Sequence, residues 1–323
     1  MPYINYAVTA VVSFSFVAWC VAYFFNKPIR KYNKDENTVG KSYDEWTDDY
    51  ILESYWGDHI HLGYYTEEER NSSLWKADFK KAKVKFVEEL LKFCDLPSQL
   101  ENIVDVGCGI GGTSRILAKK FPRATVLGIT LSAKQVSRAI ELAQKEELGE
   151  QCYFSVMDAT DMRTIPDSTM DLVWVCESSE HVADKAKLIS EAIRVAKSDA
   201  KILVAVWCQR DDLEHPFLDI EKQKLQYLYD QWSHPPFVSA QKMKEILYET
   251  GKIGDLKEEN WTAETLPSWH HNLLLGFTNP WPWISRPQAY LRLFRDAWCT
   301  QQMHNAFSSG LMEYYILVAT VKK

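Results

Sequence analysis

Two short stretches hold side chains that could do chemistry. In VDVGCGIGGTS, residues 104–114, an apolar strand runs into glycines and then into a helix. Gly107, Gly109 and Gly112 meet the G-x-G-x-x-G spacing that lets a backbone turn sharply and approach a ligand. Asp105 stands two residues ahead of the first glycine, where a carboxylate can take the ammonium of an amino-acid ligand. In YWGDHIHLGYY, residues 55–65, His59 and His61 flank Ile60. In an extended chain both rings fall on one side. That pair is the start of a metal site, a proton-handling pair, or part of an aromatic wall with Trp56 and Tyr64. Two ligands do not complete a zinc site, and zinc-ligand spacing is absent elsewhere. A small aromatic core is the remaining reading of this stretch.

The glycine loop also reads D-x-G-x-G-x-G from Asp105 to Gly111, and so resembles the first motif of class I S-adenosylmethionine methyltransferases. The resemblance implies a Rossmann-like α/β fold with a seven-stranded sheet, its last strand antiparallel, and S-adenosylmethionine as cofactor. It places Asp105, Gly107, Gly109 and Gly111 at the cofactor. Asp158 and Ala159, after the third strand, fall where that fold sets an acid against the adenine amino group. A nucleoside-triphosphate loop would need a lysine that is missing here. The second strand ends in GITLS, without the acid that many such enzymes use to hold the ribose. Thr130, Ser132 and Gln135 are the substitutes, and Ser132 reads equally well as a helix cap.

The elements that must position these residues alternate. Strands are expected at 102–106, 125–129, 153–156, 171–175 and 201–207, with helices at Thr113–Lys120, Ser132–Glu146 and Asp184–Ala196 between them. That rhythm predicts a mostly parallel sheet with helices on both faces. A helix capped by Asp78 precedes it, with Phe79, Ala82, Phe86, Val87, Leu90 and Leu91 on one face. After Trp207 the rhythm changes: helices near 218–232, 239–250 and 287–305, a tryptophan- and proline-rich stretch from Trp261 to Pro287, and a closing strand at 313–321. The resulting division is an anchor at 1–26, a linker and lid at 27–78, a cofactor-binding core at 79–207, and a substrate-binding part at 208–323 that completes the sheet.

The bulk numbers narrow the partners. The 323 residues carry a formal charge of −7, which argues against a nucleic-acid surface. Seven scattered cysteines read as reduced thiols. Ala7–Phe25 has no charge over 19 positions, about the length that crosses a bilayer core of roughly 30 Å. Lys27, Arg30, Lys31 and Lys34 follow at once, so a single-pass anchor is expected, with the catalytic part on the cytoplasmic or stromal side. A basic leader and a small-residue cleavage site, the marks of a signal peptide, are lacking.

Four segments carry a finer resemblance: the glycine loop through Phe121, GITLSAKQ, ESSEHVADKAK (177–187) and WCQRD. They resemble the tocopherol-pathway C-methyltransferases. YDEWTDDYILESYWGDHIHLGYY and YDQWSHPPF (229–237) are similar to the methyl-phytyl-benzoquinol and methyl-solanesyl-benzoquinol methyltransferases of cyanobacteria and plastids. The resemblance covers roughly residues 1–300. It implies methyl transfer to a ring carbon of a prenylated hydroquinol, a membrane of plastid or cyanobacterial type, and no metal. After the fourth strand the pattern departs, because Glu180 matches the gamma-tocopherol branch. A sterol or alkaloid amine is the alternative acceptor, and a non-catalytic binding scaffold a further one. Intact Asp105 and glycines speak against the scaffold.

Such a reaction needs a base beside the ring hydroxyl, to raise electron density at the neighbouring carbon. His181, at the carboxyl edge of the sheet, is the candidate, steered by Glu180 or Glu177; packing against the next helix is its other reading. Glu177 is expected to touch cofactor or substrate. Tyr43, Trp46, Trp56, His59, His61, Trp232 and His234 are expected at the acceptor or in a lid over it, and Tyr50 with them. Trp261, Trp269, Trp281, Trp283 and Trp298 either guide a prenyl tail from the bilayer or are packed.

Overall fold

NIVDV forms β1 (Asn102–Val106), buried on both faces as an apolar run at the centre of a parallel sheet must be. A computed structural model describes residues 20–323 except 22, 28, 29 and 286. Beside β1 lie β2 (Thr125–Thr130) and β3 (Cys152–Val156) on one side, and β4 (Met170–Cys176) and β5 (Ala196–Gln209) on the other, all parallel. β7 (Met312–Val321) pairs antiparallel with both β5 and β6 (Ile253–Asn260), giving the seven-stranded order 3-2-1-4-5-7-6. This is the class I methyltransferase sheet, with the last strand reversed as expected.

The helices in chain order are α1 (Thr38–Asp48), α2 (Ile51–Trp56), α3 (Glu67–Arg70), α4 (Phe79–Cys94), α5 (Gly112–Lys120), α6 (Ala133–Lys145) and α7 (Lys185–Val195). Then come α8 (Asp219–Trp232), α9 (Ala240–Glu249), α10 (Thr262–Thr265), α11 (Pro267–Thr278), α12 (Trp281–Ile284) and α13 (Tyr290–Ser308). Caps fix several starts. Asp78 accepts from Lys80 N and Lys81 N at the head of α4, Ser132 from Gln135 N, and Asp184 from Lys187 N. Two apolar layers sandwich the sheet. One is built on Phe86, Leu90, Trp174 and Tyr314, the other on Val104, Val173, Leu188 and Leu317.

The structure differs from the sequence reading in three places. The polar stretch 27–50 is not a linker: α1 folds there and docks on α6, with Asp44 accepting from Ser132 Oγ at 2.5 Å and Asn37 Nδ2 donating to Leu131 O at 3.3 Å. Strand β6 had no apolar signature because it is an edge strand, held by backbone pairing to β7 with most of its side chains exposed. The tryptophan- and proline-rich stretch is helical, as α10, α11 and α12. The predicted anchor lies mostly outside the described residues, among which no helix is long and apolar enough to cross a membrane.

Candidate active site

The carboxyl ends of β1, β2 and β4 open into a cavity of about 110 Å³. Asp105, Gly107, Gly109, Thr130, Gln135, Asp158, Ala159, Glu177 and His181 line it, together with His59 and His61. Gly109 has φ +56°, and a Cβ there would point toward Ile60 Cδ1 at 3.7 Å and Gln135 Nε2 at 4.0 Å. It is a glycine that keeps the backbone bare toward the cavity. Gly111 does not line the cavity. It heads α5, and a Cβ on it would sit 2.7 Å from the Phe154 ring. Ser132 is likewise absent from the lining: its hydroxyl caps α6 and donates to Asp44. Gly111 and Ser132, both expected at the cofactor, are packing and capping residues.

The acids around this cavity are graded by environment. Asp105 accepts from Ser114 Oγ at 2.6 Å, and burial pushes it up to about 6. A buried carboxylate so raised gains from a cationic ligand group. Burial works against the charge of Asp158, yet bonds from Thr160 and Lys34 outweigh it and hold the carboxyl below its usual range. Glu177 follows β4 in the left-handed region, φ +46°. Its Oε1 accepts from Leu62 N at 2.8 Å and Tyr314 Oη at 2.7 Å, while Oε2 is buried without a partner. Burial and the neighbouring Glu180 push Glu177 up to about 8. Thr130 Oγ1 donates to Gln135 Oε1 at 2.7 Å, which joins two of the residues expected at the ribose. Buried acids with spare acceptors and a bare glycine turn fit S-adenosylmethionine.

A second, larger cavity of about 600 Å³ shares Tyr43, Ile60 and His181 with the first. It is walled by aromatic and aliphatic side chains, including Trp46, Trp56, Trp232 and His234. Tyr43 Oη is 3.1 Å from His181 Nε2, and the His181 ring stacks on His234 with centroids 4.2 Å apart. Burial pushes His181 down to about 4 and holds the Tyr43 hydroxyl protonated. Glu180, expected to steer His181, lines neither cavity. Its Oε1 takes the Trp207 N–H at 2.6 Å and so fastens the turn after β4 to β5.

The HIH segment joins the two cavities. It follows the turn at Gly57–Asp58 as irregular chain, and both histidines are buried. His61 Nδ1–H donates to Leu62 O at 2.8 Å, so Nε2 is bare and accepts from His59 Nδ1–H at 3.2 Å. Among the described residues no group of three or more His, Cys, Asp or Glu could hold a metal ion. The segment is tethered to the core at three points. Lys83 Nζ donates to His59 O at 2.7 Å, Arg115 pairs with Asp58 at 2.7 Å, and Gly63 N donates to Ser268 Oγ at 2.8 Å. Gly112 permits the approach, because a Cβ there would meet Asp58 O at 2.2 Å.

Sequence reasoning missed Trp207 and Tyr314. Trp207 lines the larger cavity, and its indole N–H is buried without a partner, as is that of Trp269. Tyr314 reaches Glu177 from β7, 137 positions away in the chain. The C-terminal tryptophans divide. Trp261 packs in the core against Tyr64 and Phe86, and Tyr64 lines neither cavity. Trp269, Trp283 and Trp298 line the larger cavity, and Trp281 is 71% exposed.

Comparison with known proteins matches this geometry. Residues 104–204 match the family model "Methyltransferase domain". The chain is 37% identical over 293 residues to 2-methyl-6-phytyl-1,4-hydroquinone methyltransferase of Synechocystis sp., covering 90% of this chain and 89% of that one. It is 32% identical to the chloroplastic tocopherol O-methyltransferase of Arabidopsis thaliana, over 83% of this chain and 77% of the relative. The crystal structure of geranyl diphosphate C-methyltransferase from Streptomyces coelicolor superposes with a TM-score of 0.70 at 17% identity, covering 91% of this chain and 99% of that one, a likeness of fold. The protein is a methyltransferase whose cofactor is S-adenosylmethionine, and the chain belongs to the family of the 2-methyl-6-phytyl-1,4-hydroquinone and tocopherol methyltransferases.

Proposed function

We propose that the protein methylates a ring carbon of a prenylated hydroquinol, 2-methyl-6-phytyl-1,4-benzoquinol or its solanesyl analogue. The observation that carries this reading is the junction at Tyr43, Ile60 and His181 between a polar cavity and an apolar one of about 600 Å³. S-adenosylmethionine supplies a sulfonium methyl group when bound. Asp105, Gly107, Gly109, Thr130, Gln135, Asp158, Ala159 and Glu177 are the residues proposed to hold it. The ring lies at the junction and the tail fills the apolar cavity. Trp46, Trp56, Trp232 and His234 wall the ring and exclude water.

His181 is the proposed base. A phenol on Tyr43 Oη passes its proton through that hydroxyl to His181 Nε2. An imidazole held near 4 takes a proton while an anion beside it stabilises the cation, and the phenolate left behind is that anion. The neutral His59–His61 pair borders the cofactor cavity and adds no positive charge beside the sulfonium. The uncharged Ala7–Phe25 stretch is proposed to anchor the chain in a membrane of plastid or cyanobacterial type, with residues 27–78 as the wall segment, 79–207 as the cofactor core and 208–323 as the acceptor part.

The test is methyl transfer from labelled S-adenosylmethionine by the full-length protein. Methyl-phytyl-benzoquinol should be methylated in preference to gamma-tocopherol. No transfer to any prenylated quinol, with clear transfer to a sterol or an amine, would overturn the reading.

A further inference from the structure

The larger cavity opens beside a cluster of exposed apolar side chains. Phe277 is 83% exposed, Trp281 71%, Leu291 68%, Phe294 57% and Trp298 45%. They come from the end of α11, from α12 and from the first half of α13, and Phe277, Phe294 and Trp298 also line the cavity. Water-facing clusters of this size mark an interaction surface. What covers this one is indicated by the chain that reaches it.

Ala7–Phe25 is uncharged over 19 positions, and its last residue sits at the cavity rim. The Phe25 and Trp298 rings are 5.4 Å apart. The point of departure is clamped to the fold. Arg295 donates to Phe24 O and to Lys27 O, Tyr227 Oη to Phe25 O at 3.2 Å, and Gln231 Nε2 to Lys27 O at 3.2 Å. Arg30 then pairs with Asp296 at 2.7 Å. The end of the uncharged stretch, from Phe24 to Lys27, is therefore fastened at the mouth of the cavity, and an anchor continuing from it would bring that mouth to the bilayer surface. Lys27 and Lys31 are exposed just after it, where a basic pair meets anionic headgroups.

We infer that the α11–α12–α13 rim is a bilayer-docking surface, and that the acceptor enters the cavity directly from the membrane interface. Aromatic rims suit the headgroup level, where one part of the ring is apolar and another is wet. The inference rests on the reading of the larger cavity as the acceptor site.

Two measurements on the full-length protein test it, with vesicles of phosphatidylcholine and phosphatidylglycerol. The first compares Trp emission of the wild type and Trp281→Phe on vesicles carrying brominated acyl chains. The difference signal, which belongs to Trp281, should be quenched. A difference signal indifferent to bromine overturns the docking surface, and so does burial of the rim against a second copy, seen as Trp281-dependent cross-linked dimers on vesicles. The second uses Trp281→Ser with Leu291→Ser, neither of which lines the cavity. Relative activity on a long-tailed quinol in vesicles should fall about tenfold, equivalent to roughly 1.4 kcal/mol of lost interfacial burial. Activity on a short-tailed, water-soluble quinol should stay at the wild-type level. Equal loss on both acceptors overturns direct entry. Because quenching needs no turnover, a quenched Trp281 without quinol methylation refutes the substrate reading and leaves the docking surface standing.

Discussion

Tyr43 Oη and His181 Nε2 lie 3.1 Å apart where the two cavities meet, one contributed by α1 and the other by the turn after β4. The tyrosine comes from a segment that packs onto the core, and the histidine from the core itself. In the proposed reaction the acceptor hydroxyl and the cofactor approach this bond from the two cavities it separates. His181→Ala should lower kcat by about 10²–10⁴-fold, the range for a positioned base, with cofactor affinity by calorimetry nearly unchanged. Tyr43→Phe keeps the ring wall and removes the hydroxyl that relays the proton, so a loss of the same order in kcat is expected, again with cofactor affinity nearly unchanged. Equal losses in turnover and cofactor affinity would make His181 a structural residue.

The buried histidines set the acid limit of stability. Burial pushes His61 down to about 3 and His181 to about 4, and both are neutral in the fold. The unfolded chain takes up a proton on each near 6.5, so the unfolded state binds more protons below that pH. Stability from these groups is full above 6.5 and is lost as pH falls toward 3. Each contributes at most about 1.4 kcal/mol per pH unit in that window. His61→Gln should flatten the fall of Tm between pH 6.5 and 4.5. An unchanged slope would mean that His61 is already charged in the fold.

Legibility in the sequence followed the range of the interactions. β1 and β4 were readable because central parallel strands are short apolar runs, and the glycine loop because its function is local. Tyr43, Trp232 and His234 were singled out by segment resemblance and His181 by its place at the carboxyl edge of the sheet, and all four line a cavity. Strand β6 was not readable, because an exposed edge strand is specified by its neighbour's backbone and needs no apolar pattern. Helix α1 was hidden for a related reason: its buried residues are Val39, Gly40 and Ser42, and polar bonds to residues about 90 positions away fasten it. Glu180 was misassigned because sequence adjacency to His181 says nothing about where a carboxylate points in a tight turn. It points to the Trp207 N–H.

The two glycines of the loop should separate binding from folding. Gly109→Ala adds a methyl that points into the cavity, toward contacts at 3.7 Å and beyond, so cofactor affinity should fall with a Tm loss set mainly by the backbone at φ +56°. Gly111→Ala meets the same left-handed backbone strain at φ +79° and also drives a methyl to 2.7 Å from the Phe154 ring, an overpacking that should add about 1–3 kcal/mol of lost stability. Denaturant unfolding and cofactor titration on both variants check this. A larger affinity loss for Gly111→Ala than for Gly109→Ala, in protein that remains folded, would return Gly111 to the cofactor.

Lys83 is the sharpest test of the wall that joins the cavities. It is fully buried on the apolar face of α4, with Nζ 2.7 Å from His59 O, 3.6 Å from the Trp56 ring centre and 4.4 Å from that of Phe79. Burial holds it well below the usual lysine range. Lys83→Met fills the same volume but leaves the His59 carbonyl without its donor, which should cost about 1–3 kcal/mol. Because the folded-state pKa is depressed, the stability tied to Lys83 is full above 10.5 and is lost as pH falls through its folded value. Wild-type stability should therefore carry a rising component toward alkaline pH that Lys83→Met lacks. Trp56 and His59 border different cavities, so a loosened wall should raise the acceptor KM and the cofactor Kd together. Lys83→Arg should not rescue either one, since a fully enclosed site has no room for a guanidinium that stays charged. Full rescue by arginine, which can also donate to the His59 carbonyl, would show that the site accepts a permanently charged donor and that Lys83 need not be neutral there.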